Sequence, residues 1–213
     1  MIASADLATF ESFVLNQKAP TKPWEPVTDY SYQTRLALEE PQAELLAQVF
    51  HAAPCILDAG CGFGHLVQLL RQRGLQVYGL DLEARWPKAI EKRCARGNIA
   101  DPTLRLSPMW PRPDLVICRE VLEHMTVRQM AITIRNLCRW SSRYVYITTR
   151  FSSEDDLLRV DDHDDLDPTH ISLVAKDFLR MLLVLEGFKR CEGFERTMDW
   201  RNLGRVLVYE RAA

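Results

Sequence analysis

The sequence predicts an α/β fold: a doubly wound, mostly parallel sheet of seven strands, with helices on both faces and an antiparallel C-terminal hairpin strand. Three observations predict it. Short apolar runs typical of strands alternate with helical patterns along the chain. A glycine-rich turn joins the first strand to the first helix of this alternation, at the edge where open α/β sheets bind ligands. The last two strands have little between them but a turn, which predicts antiparallel pairing.

Length and composition are those of one ordinary soluble domain. The chain has 213 residues, of which 47% are hydrophobic and 26% charged, with a net charge of -2. Such a chain has no overall attraction to nucleic acid or to an anionic membrane. It shows no signal peptide and no apolar stretch long enough to span a bilayer. Six cysteines without a Cys-x-x-Cys pair favour a reducing, cytoplasmic location.

The N-terminal region is predicted to be helical and to lie outside the sheet. Prolines at 20, 23 and 26 interrupt it, and Pro41 suits the first turn of a new helix with an apolar face. We expect one domain, residues 1–213, in which residues 1–53 form a helical lid and residues 54–213 form the α/β core. The lid offers residues that either cover the ligand site or pack ordinarily: Trp24, Tyr30, Tyr32 and Arg35.

The elements of the core follow one another in order. Apolar runs predict strands at 55–58, 76–81, 114–118 and 144–148. Helical spacing predicts helices at 65–73, at 126–137 and at 173–186, the second opened by a capping box of Thr126 and Gln129. Residues 188–195 and 205–211 are the two closing strands.

The glycine-rich turn and one acidic residue predict a nucleoside site. The first strand ends at Asp58 and runs into a turn with glycines at 60, 62 and 64, where missing Cβ atoms let a ligand approach the backbone. Backbone N–H groups at the start of the next helix suit an anionic group. Asp81 closes the second strand about 20 residues after Gly60, the distance at which such folds place a carboxylate on ribose hydroxyls.

Two interpretations compete with a third for this turn: a nicotinamide site, a turn without any ligand, and a site for a different nucleoside. The nicotinamide fingerprint Gly-x-Gly-x-x-Gly requires its third glycine one place later than Gly64, where His65 stands. The aspartate two residues before the first glycine gives Asp-x-Gly-x-Gly-x-Gly, a spacing that favours S-adenosylmethionine. A tight strand-to-helix turn without any ligand is the second alternative.

The chain resembles the class I S-adenosylmethionine-dependent methyltransferases, notably the group that methylates small molecules. Residues 57–64 (LDAGCGFG) are similar to the first motif of that family, and residues 114–125 (DLVICREVLEHM) to its fourth strand and the following turn. Residues 167–171 (DPTHI), followed by a helix that ends in Glu-Gly-Phe, are also similar. The resemblance covers about residues 45–211 and implies a Rossmann-like methyltransferase fold, with 54–213 as its catalytic core.

The resemblance implies which residues contact S-adenosylmethionine and its product S-adenosylhomocysteine. Asp81 matches the ribose-binding acid, and Asn98 stands where an amide or acid meets the adenine amino group. Ile99 would cover the adenine ring, and Cys118 and Arg119 should lie near the methionine end. The predicted cofactor-binding set is Asp58, Ala59, Gly60, Cys61, Gly62, Gly64, Asp81, Leu82, Asn98, Ile99, Cys118 and Arg119. Because the stretch from 84 to 96 is short and contains a proline, we expect a short second helix and a weak third strand.

Methyl transfer from a protonated nucleophile needs a base within hydrogen-bond reach. The predicted catalytic residues are His124, His170 and Glu120, with Glu123 and His163 as further candidates at the same strand ends. For His124 the alternative is a structural role under the cofactor loop. For His170 it is a structural role before a helix.

No metal is predicted, but one alternative includes a metal ion. Glu120, Glu123, His124 and His170 resemble the metal site of small-RNA terminal 2′-O-methyltransferases, although Glu-x-x-Glu-His also occurs in metal-free relatives. The acidic residues between 154 and 167 are interpreted as a solvated loop. Such a loop would repel phosphates and could attract an amine or a cation.

The sequence thus predicts a methyltransferase with a small-molecule acceptor and no nucleic-acid or membrane partner. Two alternatives stay open. One is an RNA or protein methyltransferase, including metal-assisted 2′-O-methylation. The other is a non-catalytic module that binds S-adenosylmethionine. The sequence names neither the acceptor nor the oligomeric state.

Overall fold

The computed structural model describes residues 29–152, 158–159 and 170–212, with the backbone alone at 29–38 and 158–159. The helices are α1 (Asp29–Val49), α2 (His65–Gln72), α3 (Val127–Trp140), α4 (Lys176–Leu185) and α5 (Glu192–Met198). Two 3₁₀ turns cover Lys88–Arg93 and Leu122–His124. The strands are β1 (Cys55–Ala59), β2 (Gln76–Asp81), β3 (Cys94–Arg96), β4 (Leu115–Arg119), β5 (Tyr144–Thr148), β6 (Leu158–Arg159), β7 (Leu173–Val174), β8 (Phe188–Arg190) and β9 (Val206–Arg211).

Seven of these strands form one sheet in the order β3-β2-β1-β4-β5-β9-β8. The first five in this order are parallel, whereas β9 pairs antiparallel with both β5 and β8. The predicted fold class is therefore confirmed, including the antiparallel C-terminal strand. The direction of winding reverses between β1 and β4, which is where an open α/β sheet leaves a crevice for a ligand.

Helices cover both faces of the sheet, because successive strand residues point to opposite sides. On one face Leu57 and Val116 belong to a buried cluster with residues of α3 and α4. On the other face Ile56 and Ile117 belong to a second cluster with residues of α1, α2 and α5. At the start of α3, Thr126 Oγ1 accepts a hydrogen bond from the Gln129 backbone N–H, and Gln129 Oε1 accepts one from that of Thr126. The predicted capping box is thus confirmed.

The structure corrects the N-terminal helix. Pro41 was expected in the first turn of a new helix, but α1 runs from Asp29 through Pro41 to Val49 without a break. Proline lacks an N–H, so it removes one interior hydrogen bond. Because Pro41 is exposed, water can satisfy the carbonyl that loses its partner.

The connection between the last two strands also differs from the expectation. β8 ends at Arg190, and the residues predicted to continue it form α5 instead. Glu195, 4% exposed, explains the change. Its carboxylate accepts hydrogen bonds from Arg190 Nε at 2.6 Å and from the Val208 N–H at 3.3 Å, which fastens α5 to both strands.

The remaining elements differ less from those that the sequence predicted. Residues 173–174 pair with 158–159 as a small second sheet, so α4 begins at Lys176 rather than at 173. The weak third strand and the short second helix are confirmed as β3 and a 3₁₀ turn. Within the described ranges, no helix combines the length and hydropathy needed to span a membrane. Trp24, His163 and the acidic residues of 154–167 lie outside the described residues, as do the side chains of Tyr30, Tyr32 and Arg35.

Candidate active site

A cavity of about 590 Å³ lies at the carboxyl ends of the parallel strands, where the winding reverses. The segments after β1, β2, β3 and β4 line one half of it. The end of β5, residues 198–206 and Gln42 of α1 line the other half, whereas Glu39 of α1 pairs with Arg119 in the first half. Of the predicted cofactor set, the following residues line the cavity: Asp58, Gly60, Cys61, Gly62, Asp81, Leu82, Asn98, Ile99 and Arg119.

The glycine-rich turn depends on backbone conformations that favour glycine. Gly60, Gly62 and Gly64 have φ values of 87°, 53° and 74°, in the left-handed region. A Cβ on Gly60 would overlap the side chain of Val121, so close packing also requires glycine there. At Gly62 nothing lies within 4 Å of an added Cβ. The backbone at Gly62 therefore borders open space in the cavity, as a close-fitting ligand would require.

Hydrogen bonds join the tips of β1 and β2. The Gly60 and Cys61 N–H groups donate to the Leu80 carbonyl at 2.7 and 3.2 Å. The Gly62 N–H donates to Asp81 Oδ2 at 2.8 Å, and the Glu83 N–H donates to Asp81 Oδ1 at 3.0 Å. A carboxylate accepts about four hydrogen bonds, so Asp81 keeps capacity for further donors.

A buried charged cluster stands beside this turn. Asp58 is 3% exposed, and burial raises its pKa to about 7; Arg119 acts in the opposite direction, while Glu39 and Asp81 add to the increase. Arg119 pairs with Glu39 at 3.4 Å. Within the described chain, Arg119 Nε and Glu39 Oε2 are buried without a hydrogen-bond partner. This corner thus holds polar atoms that its own contacts leave unsatisfied.

The loop after β3 supplies two further lining residues. Asn98 Oδ1 accepts a hydrogen bond from the Ala100 N–H at 2.9 Å, and Asn136 Nδ2 donates to the Ile99 carbonyl at 2.9 Å. Part of the acceptor capacity of the Asn98 amide is therefore used within its own turn. Leu82 is 59% exposed at the cavity edge.

Three of the predicted cofactor residues do not line the cavity. Ala59 and Cys118 are fully buried in the sheet. Gly64 immediately precedes α2, and a Cβ there would overlap Ile90. These residues shape the strand ends rather than face the open space.

The catalytic candidates meet at the end of β4. Glu120 has a positive φ of 50°, a conformation that costs a non-glycine residue about 1–2 kcal/mol, and its N–H donates to the Thr148 carbonyl at 2.8 Å. His124 lines the cavity beside Glu120. The rings of His124 and His170 have centroids 4.8 Å apart, although the two residues are far apart in sequence. The predicted set of His124, His170 and Glu120 therefore converges on one strand end.

Glu123 lies under these candidates. It is fully buried, and its Oε2 accepts a hydrogen bond from Thr149 Oγ1 at 2.8 Å. Its carbonyl accepts from the Ile171 N–H at 2.8 Å, which fixes the segment that carries His170. Burial, and then the negative charge of Glu120, raises the pKa of Glu123 to about 8. No described residue bonds its other oxygen, Oε1.

This cluster has the donor set of a divalent metal site. Glu123, His124 and His170 each offer one ligand atom, and these atoms lie within 4.8 Å of one another. Carboxylate oxygen and imidazole nitrogen together suit several divalent ions. The unbonded Glu123 oxygen fits either a bound ion or a retained proton.

The far half of the cavity was missed from the sequence. It includes Gln42, Tyr146, Trp200, Leu203 and Arg205. A topological signal was available: β9 is antiparallel, so its first residue lies at the same edge as the last residues of the parallel strands. Residues 199–205 precede β9 and therefore had to reach the ligand edge.

Comparisons with known proteins agree with this geometry. Residues 30–191 match a family described as a methyltransferase domain. Over 88 residues, 37% of this chain and 34% of the relative, the chain is 33% identical to a ubiquinone biosynthesis O-methyltransferase of Psychrobacter arcticus. Over 100 residues, 44% of this chain and 43% of the relative, it is 30% identical to a magnesium-protoporphyrin O-methyltransferase of Synechocystis. Both matches span less than half of the curated relative.

The fold is similar to that of a crystallised Burkholderia thailandensis 1,6-didemethyltoxoflavin-N1-methyltransferase, which has bound 1,6-didemethyltoxoflavin and S-adenosylhomocysteine. The TM-score is 0.61 at 15% identity, over 100% of this chain and 92% of the other. At that identity the likeness shows the fold alone. The family match, in contrast, covers well over half of the chain, so this protein belongs to the methyltransferase-domain family.

Proposed function

We propose that this protein transfers a methyl group from S-adenosylmethionine to a small-molecule acceptor. The main support for the proposal is the hydrogen bond that connects the tips of β1 and β2. A left-handed glycine that borders open space donates its N–H to the carboxylate that ends the next strand, at 2.8 Å. This arrangement leaves room for a nucleoside against the backbone and a carboxylate for its sugar.

The described residues fit each part of the cofactor. Asp81 would accept hydrogen bonds from the ribose hydroxyls, and Asn98 with Ile99 would border the adenine. The unsatisfied atoms of Arg119 and Glu39, together with Asp58, suit the carboxylate and ammonium groups of the methionine part.

The residues of the chain supply orientation, water exclusion and a proton acceptor. S-adenosylmethionine brings the activated methyl group. His124, at the cavity wall, would take the proton of the acceptor, with Glu120 and His170 beside it. Glu123 would hold the His170 segment to the end of β4 through its backbone carbonyl, and its carboxyl group would fasten this region to Thr149 at the end of β5.

A second candidate for the catalytic step uses a divalent ion held by Glu123, His124 and His170. The observation that favours it is the 4.8 Å spacing of their ligand atoms. The two candidates differ in their response to a chelator. With a metal-free base, EDTA leaves turnover unchanged; with an ion, EDTA abolishes turnover and Mn²⁺ or Mg²⁺ restores it.

Acceptor size and cellular setting complete the proposal. The two curated relatives are named for ubiquinone biosynthesis and for magnesium protoporphyrin, which supports a small-molecule acceptor. The acidic residues near 160 argue against a nucleic-acid acceptor.

We assign residues 1–53 to a lid over a core of residues 54–213. All six cysteines are free, as expected of a cytoplasmic protein.

Calorimetry tests the methyl donor directly. S-adenosylmethionine and S-adenosylhomocysteine should bind and NAD should not. Asp81→Ala removes the proposed ribose acceptor and should weaken binding about 100-fold, because two hydrogen bonds to a charged group are lost. Asp177→Ala is the matched control: its side chain is 85% exposed on α4, outside the cavity, so affinity should not change. Binding of NAD alone, or full affinity in the Asp81 variant, contradicts the proposal.

A further inference from the structure

The two halves of the cavity differ in charge. The half beside the glycine-rich turn carries the carboxylates of Asp58 and Asp81, and the charge of Glu39 there is balanced by Arg119 at 3.4 Å. The far half is lined by two positively charged residues, Arg201 and Arg205. Neither of these two forms an ion pair or a side-chain hydrogen bond with any residue that the structure describes. Within the described residues, no acidic side chain neutralises their positive charge.

The acid nearest to these arginines in sequence is already used by the backbone. Asp199 Oδ1 accepts from the Leu203 N–H at 3.0 Å, and Oδ2 accepts from the Gly204 N–H at 2.8 Å. Both contacts lie within the turn itself, so the carboxylate serves to hold the turn. The charge of Asp199 is thus directed at backbone amides rather than at Arg201 or Arg205.

The segment 199–205 is held in one conformation. Asn202 and Gly204 have φ values of 53° and 67°, both in the left-handed region. The Gly204 carbonyl accepts a hydrogen bond from Lys176 Nζ at 2.8 Å, and the Arg205 carbonyl accepts one from the Thr149 N–H at 3.3 Å. These bonds fasten the turn to α4 and to the end of β5. The backbone positions of Arg201 and Arg205 are therefore fixed, so binding need not order the turn itself.

An aromatic ring stands beside the two arginines. Trp200 Nε1 donates to Gln42 Oε1 at 3.0 Å, and Gln42 Nε2 donates to the Tyr146 hydroxyl at 3.0 Å. Tyr146 is 1% exposed, so this chain of hydrogen bonds ends on an immobile residue of the cavity wall. Trp200 itself stays 43% exposed. Its ring edge is fixed while much of its surface remains open for stacking.

We propose that the far half of the cavity binds a planar acceptor that carries a carboxylate, with its ring on Trp200 and its carboxylate on Arg205 and Arg201. The inference rests on the proposed methyl transfer and names the class of acceptor for that same cavity. An arginine fork matches a carboxylate with two parallel hydrogen bonds, and an indole face matches a flat ring. Aromatic acids combine the two features in one small molecule.

Two probes of similar size and shape, one charged and one neutral, test this assignment. They are 3,4-dihydroxybenzoate and 3,4-dihydroxybenzamide, titrated by calorimetry into protein saturated with S-adenosylhomocysteine. The benzoate should bind about tenfold more tightly or better, because it alone offers a charged partner to the arginines. Trp200→Leu should weaken both probes by similar factors, since both carry the same ring.

Variants of the arginines locate the effect. Arg205→Gln should reduce the preference for the benzoate to about twofold or less, and Arg205→Lys should give an intermediate preference, because lysine keeps the charge and loses the fork. Arg196→Gln is the matched control: Arg196 is exposed on α5 and does not line the cavity, so the preference should persist. Unchanged affinity for S-adenosylhomocysteine shows that each variant is folded.

Three results overturn the assignment: equal binding of the two probes, no binding of either, or a preference that survives in the double variant Arg201→Gln/Arg205→Gln. A different result overturns the methyl-donor proposal. If S-adenosylhomocysteine does not bind in the first step, the methyl donor is wrong whatever the probes do. The two failures are therefore distinguishable in one experiment.

Discussion

The two halves of the cavity are built in different ways. The half beside the glycine-rich turn is made mainly by backbone groups: the Gly60 N–H donates to the Leu80 carbonyl, and the Gly62 N–H donates to the Asp81 carboxylate. The far half is made by side chains from distant parts of the chain. Trp200, Gln42 and Tyr146, which come from the turn before β9, from α1 and from β5, meet there through side-chain hydrogen bonds.

This difference separates what the fold determines from what the individual sequence determines. Backbone contacts between strand tips follow from the sheet order and from glycines at a few positions, so any chain with this fold and turn repeats them. Side-chain contacts across distant elements change with single substitutions. We infer that the first half serves the common methyl donor and that the second half selects the acceptor.

The largest expected effect falls where the two halves meet, at His124. His124→Ala should lower kcat by about 10²- to 10⁴-fold, because a positioned base contributes about that much. Affinity for S-adenosylhomocysteine should stay the same, since the proton transfer concerns the acceptor. Steady-state kinetics and calorimetry measure the two quantities separately.

His51→Ala is a suitable control for that experiment. His51 is exposed, contacts the Gln48 carbonyl at 3.0 Å and does not line the cavity, so kcat should not change. The alternative role of His124, structural support of the cofactor loop, predicts the opposite pattern of changes in kcat and cofactor affinity. If His124 only supports the cofactor loop, its loss will reduce cofactor affinity and leave turnover of the saturated enzyme nearly intact.

The next effect in size tests whether the glycine backbone contacts the cofactor. Gly62→Leu and Gly74→Leu are a matched pair, because both glycines have positive φ, 53° and 83°, and neither has an atom within 4 Å of an added Cβ. Each variant should lose about 1–2 kcal/mol of unfolding free energy from backbone strain. Gly62→Leu alone should weaken S-adenosylmethionine binding, by about 100-fold, since its side chain fills space that the ligand needs.

The two measurements on this pair of variants report different properties. Thermal or denaturant unfolding reports the shared strain, and calorimetry reports the ligand. Equal affinity of both variants for S-adenosylmethionine would show that the ligand lies elsewhere in the cavity. Loss of affinity in both would point to strain in the sheet rather than to contact.

The sequence predicted the sheet and the donor half because their signals are local. Glycines at fixed spacing after an apolar run, and Asp81 at the end of the next run, identify strand tips without any knowledge of packing. The convergence of His124 and His170 was also predictable, but only through resemblance. No local pattern links these two residues, whose rings lie 4.8 Å apart.

The far half could not be predicted in the same way, because it depends on pairings between distant segments. The error at α5 shows why. Residues 192–195 were expected to continue a strand, but Glu195 lies in a helix and accepts hydrogen bonds from Arg190 Nε and the Val208 N–H, contacts that no short-range pattern reveals. The antiparallel direction of β9 was predicted, and this direction implies that residues 199–205 lie at the ligand edge.

The smallest expected effect depends on pH and tests the charge of the donor half. Burial raises the pKa of Asp58 from 3.8 to about 7, so the carboxyl group is largely protonated below pH 7 in the free protein. The ammonium group of S-adenosylmethionine favours the ionised form, so binding should release a proton. Affinity should therefore rise by up to about tenfold per pH unit between about pH 5.5 and pH 7, then level off.

The same pKa has the opposite consequence for the stability of the free protein. Because the folded-state pKa is raised, the stability that this group contributes is present below about pH 4 and is lost as pH rises through about 7, on the order of 4 kcal/mol in total. The Asp58→Asn variant has no titrating group at this position. Its affinity for S-adenosylmethionine and its stability should therefore both depend less on pH. Calorimetry in two buffers of different ionisation enthalpy measures the released proton, and urea unfolding at the same pH values measures stability. If affinity depends on pH equally in both proteins, the titrating group lies elsewhere, and Asp58 supports the turn without meeting the ammonium group.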